Sequence, residues 1–138
     1  MQVNRWVILT QSGGRLDQQM QSLNALWVYQ SKFDQLVLLS EDSLALLLPG
    51  PRPGAAHTAQ RRYCVQRAAM QTDTCGLIAM GNVAHVRTHG LEWECDGPMG
   101  MGGLVSSSNC MSGDSVTVCT SGDLLWTASV SLVDVPPP

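Results

Sequence analysis

The sequence predicts an α+β protein in which a helix-containing unit precedes a region rich in antiparallel strands. Three observations support this class. Residues 5–48 alternate short apolar runs with a segment of helical spacing, residues 49–59 break regular structure with proline and glycine, and the sequence from Val83 onward alternates apolar and polar side chains. A length of 138 residues fits a single domain spanning residues 1–138.

The first unit is predicted to be a β-α-β(β) unit. Trp6 to Leu9 form a short β-rich apolar run, which Gln11-Ser12-Gly13-Gly14 interrupts. Apolar side chains then recur at helical spacing, which predicts a helix from Leu16 to Tyr29 or Gln30, with its stripe at Leu16, Met20, Leu23 and Trp27. The helix would bury that stripe on the sheet formed by the flanking strands.

Two leucine-rich runs follow, separated by four polar residues. Leu36 to Leu39 and Leu44 to Leu48 fit a β-hairpin, and a helical turn over residues 43–48 is the main alternative. Neither run alternates, so both should be buried on two faces or lie in an interface. The predicted interface residues are Leu44, Leu46, Leu47 and Leu48.

Residues 49–59 are predicted to be a loop, acting as a hinge or as an arm on a neighbour, because three prolines and two glycines cannot continue a helix or strand. Residues 60–70 fit a second helix. The mainly antiparallel second half then contains strands at Val83 to His89 and Leu91 to Asp96, with Leu91, Trp93 and Cys95 on the apolar side. Loops at 97–103 and 106–113 precede a terminal hairpin, formed by residues 116–119 and 124–133.

The composition is poor in charge. Charged residues make up 14% of the chain, the formal net charge is −3, and Lys32 is the only lysine. This balance gives no strong nucleic-acid signal, since phosphate binding depends on Lys and Arg. No apolar run approaches the length of a membrane span or of a signal-peptide core, so we expect a cytoplasmic protein or a particle assembled in the cytoplasm, without a membrane partner.

Two candidate binding sites stand out. Gln11, Ser12, Gly13 and Gly14 lie between a strand and a helix, where open α/β sheets bind anions, although a simple turn explains the same residues. His85 and His89 are spaced to share one face and could bind a metal together with Cys75 or Cys95, although a satisfied or surface histidine pair is the favoured interpretation. No cofactor is predicted.

Two further sets of side chains could be functional or simply structural. The carboxylates Glu92, Glu94 and Asp96 could serve acid/base or metal chemistry, or could be the outer face of a half-exposed strand. The five cysteines contain no Cys-x-x-Cys pair; Cys110 and Cys119 could form a disulfide, and free buried thiols are the favoured interpretation.

Three functional hypotheses remain. The first is a non-enzymatic structural subunit of a virion, phage tail or similar particle, whose partners are copies of itself or other subunits, because apolar runs in a charge-poor chain suit burial in an assembly. The second is a small Rossmann-like nucleotide- or ligand-binding module that uses Gln11 to Gly14. The third is a metal-dependent hydrolase or nuclease that uses His85, His89 and the carboxylates.

Overall fold

The computed structural model describes residues 6–10 and 14–131, and within them the chain forms one helix and ten strands. In chain order these are β1 (Trp6–Thr10), α1 (Leu16–Tyr29), β2 (Gln35–Leu39), β3 (Ser43–Leu48), β4 (Arg61–Gln66), β5 (Gln71–Ile78), β6 (Ala84–His89), β7 (Asp96–Met99), β8 (Ser106–Cys110), β9 (Ser115–Thr120) and β10 (Leu124–Val130).

The strands form two sheets. Sheet A has six strands in the order β1-β2-β3-β10-β5-β8, and sheet B has four in the order β4-β9-β6-β7. All pairings described are antiparallel except that of β1 with β2, which is parallel with α1 between them in sequence. The predicted α+β class is confirmed in its broad form, as a β-rich chain with one helix and mainly antiparallel sheets.

Helix α1 covers one face of sheet A. Its start and end agree with the prediction, and Asp17 occupies the first turn, where the helix dipole favours a carboxylate. Leu26 is buried at 1% exposure. It packs in a small apolar cluster formed with the sheet residues Leu36, Leu38, Ala45 and Leu125. The predicted stripe is confirmed only in the second half of the helix, where Leu23 and Trp27 are half-buried against this cluster. Leu16 and Met20 are exposed.

The main core lies between the two sheets. Sheet A contributes Leu77 and Trp126, and sheet B contributes Val116 and Val118, all almost completely buried. Fully burying one such side chain is worth about 1.5–3 kcal/mol. The alternation along β9, where Val116, Val118 and Thr120 are buried, shows that sheet B presents one face to this core.

The predicted leucine-rich hairpin is confirmed, because β2 and β3 pair antiparallel with Val37 opposite Leu46. The helical alternative for residues 43–48 is wrong. The central position of β3 between β2 and β10 explains why its sequence does not alternate: α1 lies on one face of the sheet and sheet B on the other.

The helix predicted for residues 60–70 is wrong, because this segment contains β4. Val65 is buried and Tyr63 half-buried, whereas Arg62 and Cys64 are exposed, which is the period of a strand. Six cross-strand pairs with β9, from Arg61–Thr120 to Gln66–Ser115, fix this conformation. Sheet pairing thus overrides the weak helical spacing.

Three assignments in the second half are also wrong. Leu91 to Asp96 is not a strand: Leu91 makes one isolated bridge to Met111, and β7 begins only at Asp96. The predicted loop at 97–103 contains part of β7, and that at 106–113 contains β8, whose polar sequence pairs with β5. The serine-rich sequence of β8 does not itself predict a strand, and the backbone hydrogen bonds to β5 give the segment its extended conformation.

The strands of the predicted terminal hairpin exist, but they do not pair with each other. β9 pairs with β4 and β6 in sheet B, whereas β10 lies between β3 and β5 in sheet A. Residues 121–123 therefore connect a strand of sheet B to a strand of sheet A. Two alternating segments joined by a short turn have the same sequence pattern whether they pair in a hairpin or belong to different sheets. Asp123 fixes this link, because its carboxylate accepts hydrogen bonds from Trp27 Nε1 at 3.0 Å and from Gly50 N at 2.8 Å.

Across residues 6–10 and 14–131, no helix combines the length and apolar character needed to cross a bilayer. The five cysteines are all free thiols, as predicted, but only Cys75 and Cys95 are buried; Cys110 and Cys119 are half-buried and Cys64 is exposed.

Candidate functional site

A shallow cavity of about 230 Å³ lies where the segment between β6 and β7 meets the segment that leads into β8. Its walls come from the turn that joins β6 and β7 of sheet B, and from β8 of sheet A with the two residues before it. We call the following residues the Trp93 patch: Trp93, Leu104, Val105, Ser106 and Asn109.

The patch exposes an unusual amount of apolar surface. Trp93 is 58% exposed, and Leu104 and Val105 are also exposed. A flat indole beside aliphatic side chains suits a ring-shaped ligand, and exposed apolar clusters mark binding surfaces more often than isolated exposed residues do. The nearby Met101 is exposed as well.

Asn109 is the polar residue that holds the patch together. It is only 2% exposed. Its Nδ2 donates to Trp93 O at 2.8 Å and to Ser106 Oγ at 2.9 Å, while its Oδ1 accepts from Trp93 N at 3.2 Å and Cys110 N at 2.8 Å. One buried amide thus fixes the backbone of Trp93 against β8 and places the Ser106 hydroxyl beside it.

The turn carrying Trp93 is fixed from its other side by Glu94. Glu94 Oε1 accepts from Gly90 N at 2.7 Å and Leu91 N at 2.8 Å, and Oε2 accepts from Thr88 Oγ1 at 2.5 Å. Desolvation by burial raises the pKa of this carboxyl. The three hydrogen bonds and the neighbouring His89 together lower the pKa by more than burial raises it, so the pKa of Glu94 lies below its ordinary value. The carboxylate form is therefore favoured. We call this group the Glu94 clamp.

The backbone around the patch is conformationally restricted. Ser108 has φ = 55°, the only positive φ of a non-glycine residue in the described part of the chain. Such a conformation carries a cost and recurs at functional sites. Gly90, at φ = 109°, leaves no room for a side chain, because a Cβ there would lie 2.7 Å from Ser115 O.

A larger cavity of about 450 Å³ lies between β4 and the inner face of β2 and β3. Its wall is mainly aliphatic, including Val37, Leu39 and Leu46, with Tyr63 at its rim. The Tyr63 hydroxyl donates to Pro49 O, and burial raises the pKa of Tyr63 despite the opposing charge of Arg61. Its lining also includes the polar side chains of Gln35, Gln66 and Gln71.

The predicted ligand loop is only partly visible. Gln11, Ser12 and Gly13 lie outside the described residues, and Gly14 is exposed just before α1. Ligand binding by this loop stays a prediction.

The histidines predicted to bind metal lie on the outer face of sheet B. His85 and His89 are both exposed on β6. Among the residues that the structure describes, no group of three His, Cys, Asp or Glu side chains is placed to hold a metal ion. The carboxylates have separate environments: Glu94 forms the clamp, and Asp96 lies 3.6 Å from Arg87. A metal role for His85 and His89 stays a prediction.

The four predicted interface leucines lie in the interior of the sheet. Leu44 and Leu48 are buried in the main core, Leu46 is half-buried beside it, and Leu47 is half-buried against the cluster under α1. Contacts within the chain account for most of their burial. A role between subunits stays a prediction.

The Trp93 patch was not predicted, because the alternating pattern places Trp93 with Leu91 and Cys95 on the buried face of a strand. Leu91 and Cys95 are indeed buried, but the turn directs Trp93 to the surface. The signal that could have identified the turn is Gly90, whose positive φ ends β6.

Comparison with known proteins connects this region to a family. The family model described as thiamin pyrophosphokinase, vitamin B1 binding domain, matches residues 62–125. The match includes the whole Trp93 patch and the Glu94 clamp.

Curated relatives extend the similarity to most of the chain. Thiamine pyrophosphokinase 2 of Arabidopsis thaliana is 36% identical over 126 residues, which are 90% of this chain and 43% of the relative. Thiamine pyrophosphokinase 1 of Oryza sativa subsp. japonica is 34% identical over 126 residues, covering 90% of this chain and 44% of the relative. The chain therefore spans less than half the length of these relatives.

Solved structures show the same fold. Thiamin pyrophosphokinase from yeast superimposes with a TM-score of 0.74 at 24% identity, covering 94% of this chain and 42% of that one. The protein from Candida albicans gives a TM-score of 0.73 at 21% identity, covering 94% and 46%.

These similarities overturn the predicted function. The interpretation as a structural subunit of a virion, phage tail or other particle is wrong, because the sequence relatives are metabolic enzymes. The charge-poor leucine runs that suggested an assembly are explained by a strand covered on both faces. In sequence and in fold, the chain is similar to thiamin pyrophosphokinases, and residues 62–125 match their vitamin B1 binding domain.

Proposed function

We propose that this chain supplies the vitamin B1-binding part of a thiamin pyrophosphokinase and that the Trp93 patch is its thiamin-contacting surface. The observation that supports this most directly is the match of residues 62–125 to the vitamin B1 binding domain. Within that range the patch combines an exposed tryptophan with a buried, hydrogen-bonded amide.

The chemistry of the patch suits thiamin. Thiamin has a pyrimidine ring and a positively charged thiazolium ring. The Trp93 face can stack on either ring, and an indole attracts a cationic ring through its quadrupole. Leu104 and Val105 extend the apolar surface, and the Ser106 hydroxyl, fixed by Asn109, offers a hydrogen-bonding group at its edge. Orientation would come from this polar edge and affinity from the apolar face.

The complete reaction belongs, in this proposal, to a longer protein. A pyrophosphokinase transfers a pyrophosphoryl group to its acceptor, here the hydroxyl of thiamin. We propose that residues 6–48 form a β-α-β(β) unit that joins the binding region to the rest of such an enzyme. The parallel pairing of β1 and β2 and their position in sheet A next to β3 support this arrangement.

Isothermal titration calorimetry with thiamin tests the proposal. Trp93→Ala should weaken binding by about 5- to 30-fold, because loss of ring stacking and cation–π attraction is worth about 1–2 kcal/mol. Trp93→Phe should retain part of the affinity. Tyr29→Ala removes an exposed aromatic side chain of α1, away from the patch, and serves as the matched control.

Equal affinities for the wild-type chain and Trp93→Ala would refute the assignment of the patch. A folded wild-type chain that does not bind thiamin at millimolar concentration would refute the proposed function itself.

A further inference from the structure

The Glu94 side chain points back into the turn that carries Trp93. Its carboxylate accepts three hydrogen bonds, from Gly90 N, Leu91 N and Thr88 Oγ1. Two of these donors lie at the start of the turn and one at the end of β6. A carboxylate with three donors at 2.5–2.8 Å is a charge-assisted arrangement, which is stronger than neutral hydrogen bonding.

Thr88 connects the same carboxylate to the far end of the turn. The Thr88 hydroxyl donates to Glu94 Oε2 and accepts from Cys95 N at 2.8 Å. Thr88 is buried, and its N–H donates to Cys95 O at 3.0 Å. The clamp therefore ties both ends of the turn, Gly90 and Cys95, with Trp93 held between them.

The other carboxylates near Trp93 do not share this role. Asp96 lies beside Arg87 on the outer face of sheet B. Glu92 is exposed on the same turn, and it is the Glu92 backbone N–H that bonds to Cys110 O at 2.8 Å. Glu92 thus carries the same charge next to Trp93 in sequence, as Glu94 does, without the clamp.

We propose that Glu94 is a positioning residue, which holds the turn so that the Trp93 indole is presented to thiamin; this inference rests on the proposed function. Asn109 fixes the Trp93 backbone from the side of β8, and Glu94 fixes the turn from the side of β6. Without the clamp, the turn samples other conformations, and the apparent dissociation constant rises in proportion to the lost binding-competent fraction.

A direct electrostatic role is the competing explanation, because thiamin is a cation. The two roles predict different results for Glu94→Gln. The glutamine carbonyl can still accept from Gly90 N and Leu91 N, and its amide can donate to Thr88 Oγ1, so positioning survives while the charge is lost. A purely electrostatic role would make Glu94→Gln as harmful as Glu94→Ala.

The experiment measures thiamin affinity and the order of the turn in the same variants. For Glu94→Ala we expect affinity to fall about 10-fold, as when the competent fraction falls to about a tenth. We also expect faster amide exchange at Gly90, Leu91 and Cys95. Acrylamide quenching of Trp93, taken as the difference from a Trp93→Phe background, should increase.

The thiamin affinity of Glu94→Gln should stay within about threefold of that of the wild type, as expected when the turn remains mostly ordered. The matched control Glu92→Gln should leave all three measurements unchanged.

Two results would overturn the proposal. One is unchanged amide exchange and quenching in Glu94→Ala. The other is an affinity loss in Glu94→Gln equal to that in Glu94→Ala, which would assign an electrostatic role. Should Glu94→Ala fail to fold, Thr88→Ser and Thr88→Val provide the same comparison, because serine keeps the hydroxyl of the clamp and valine removes it. If the wild-type chain does not bind thiamin, the proposed function fails, and exchange and quenching still decide whether Glu94 orders the turn.

Discussion

Replacement of Asn109 by alanine should destabilise the chain more than any exposed polar substitution. The variant removes four hydrogen bonds, two accepted and two donated by a side chain that is 2% exposed. A neutral hydrogen bond contributes about 1 kcal/mol net, and a buried group left without a partner costs about 1–3 kcal/mol. Because water can reach part of the Trp93 backbone, we expect a loss of about 3 kcal/mol in the free energy of unfolding.

Urea denaturation followed by circular dichroism measures this loss. With an m-value of about 2 kcal/mol per molar, the midpoint should fall by about 1.5 M. Asn82→Ala, at an exposed asparagine, is the matched control and should change the free energy of unfolding by less than about 0.5 kcal/mol.

A second variant tests the role of the donors. Asn109→Asp keeps the shape of the side chain and its acceptor oxygens but loses the donations to Trp93 O and Ser106 Oγ at neutral pH. It should recover stability as the pH falls and the carboxyl gains a proton to donate. A change below about 1 kcal/mol for Asn109→Ala, where three backbone groups lose a partner, would refute the reasoning.

Two further predictions concern backbone space and thiol ionisation. Gly90→Ala should lower the free energy of unfolding by about 2 kcal/mol or more, because φ is 109° and the new Cβ would lie 2.7 Å from Ser115 O. Gly113→Ala is the control, because the space around its Cβ is open. Equal denaturation midpoints for the two variants would contradict the predicted strain. Burial raises the pKa of Cys75 from 9.0 to about 11, assisted by Cys110. Because this pKa is raised, Cys75 contributes stability that is complete below pH 9 and is lost as the pH rises through 11. Cys75→Ala should therefore reduce the fall in the free energy of unfolding at alkaline pH. An unchanged slope would show that ionisation of Cys75 does not cause that fall.

Elements with a strong local period could be predicted from the sequence. Apolar side chains recur at helical spacing in α1, the β2–β3 pair is separated by four polar residues, and β6 alternates along its length. Local spacing and tertiary packing agree in the two strand regions, and in α1 they agree over its second half, because Leu16 and Met20 are exposed. The sequence alone was therefore sufficient for the broad α+β class.

The remaining strands depend on partners distant in sequence. β8, with its sequence Ser-Ser-Ser-Asn-Cys, has no β-rich character and becomes a strand because β5 offers it an edge. β4 similarly owes its conformation to β9. Local propensity contains no information about either partner.

The candidate site escaped prediction for a related reason. The period-two pattern assigned Glu94 to solvent, which the structure confirms, and Trp93 to the core, which is wrong because the indole is exposed. The pattern also gave no sign that the Glu94 carboxylate accepts hydrogen bonds from backbone N–H groups in the turn after Gly90. Asn109 lay in a segment predicted to be loop, so its role became visible only once β8 placed it beside Trp93. Alternation of apolar and polar residues within one segment does not reveal hydrogen bonds between segments distant in sequence, such as those between Asn109 and the Trp93 backbone.

The location of β10 has a consequence for how the chain is made. This strand is the last of the described part, and it occupies the middle of sheet A, between β3 and β5. Until residues 124–130 leave the ribosome, β3 and β5 each present an unpaired apolar edge, which is a known route to aggregation. The nascent chain should therefore depend on chaperones until β10 emerges, and truncation just before β10 should yield insoluble product.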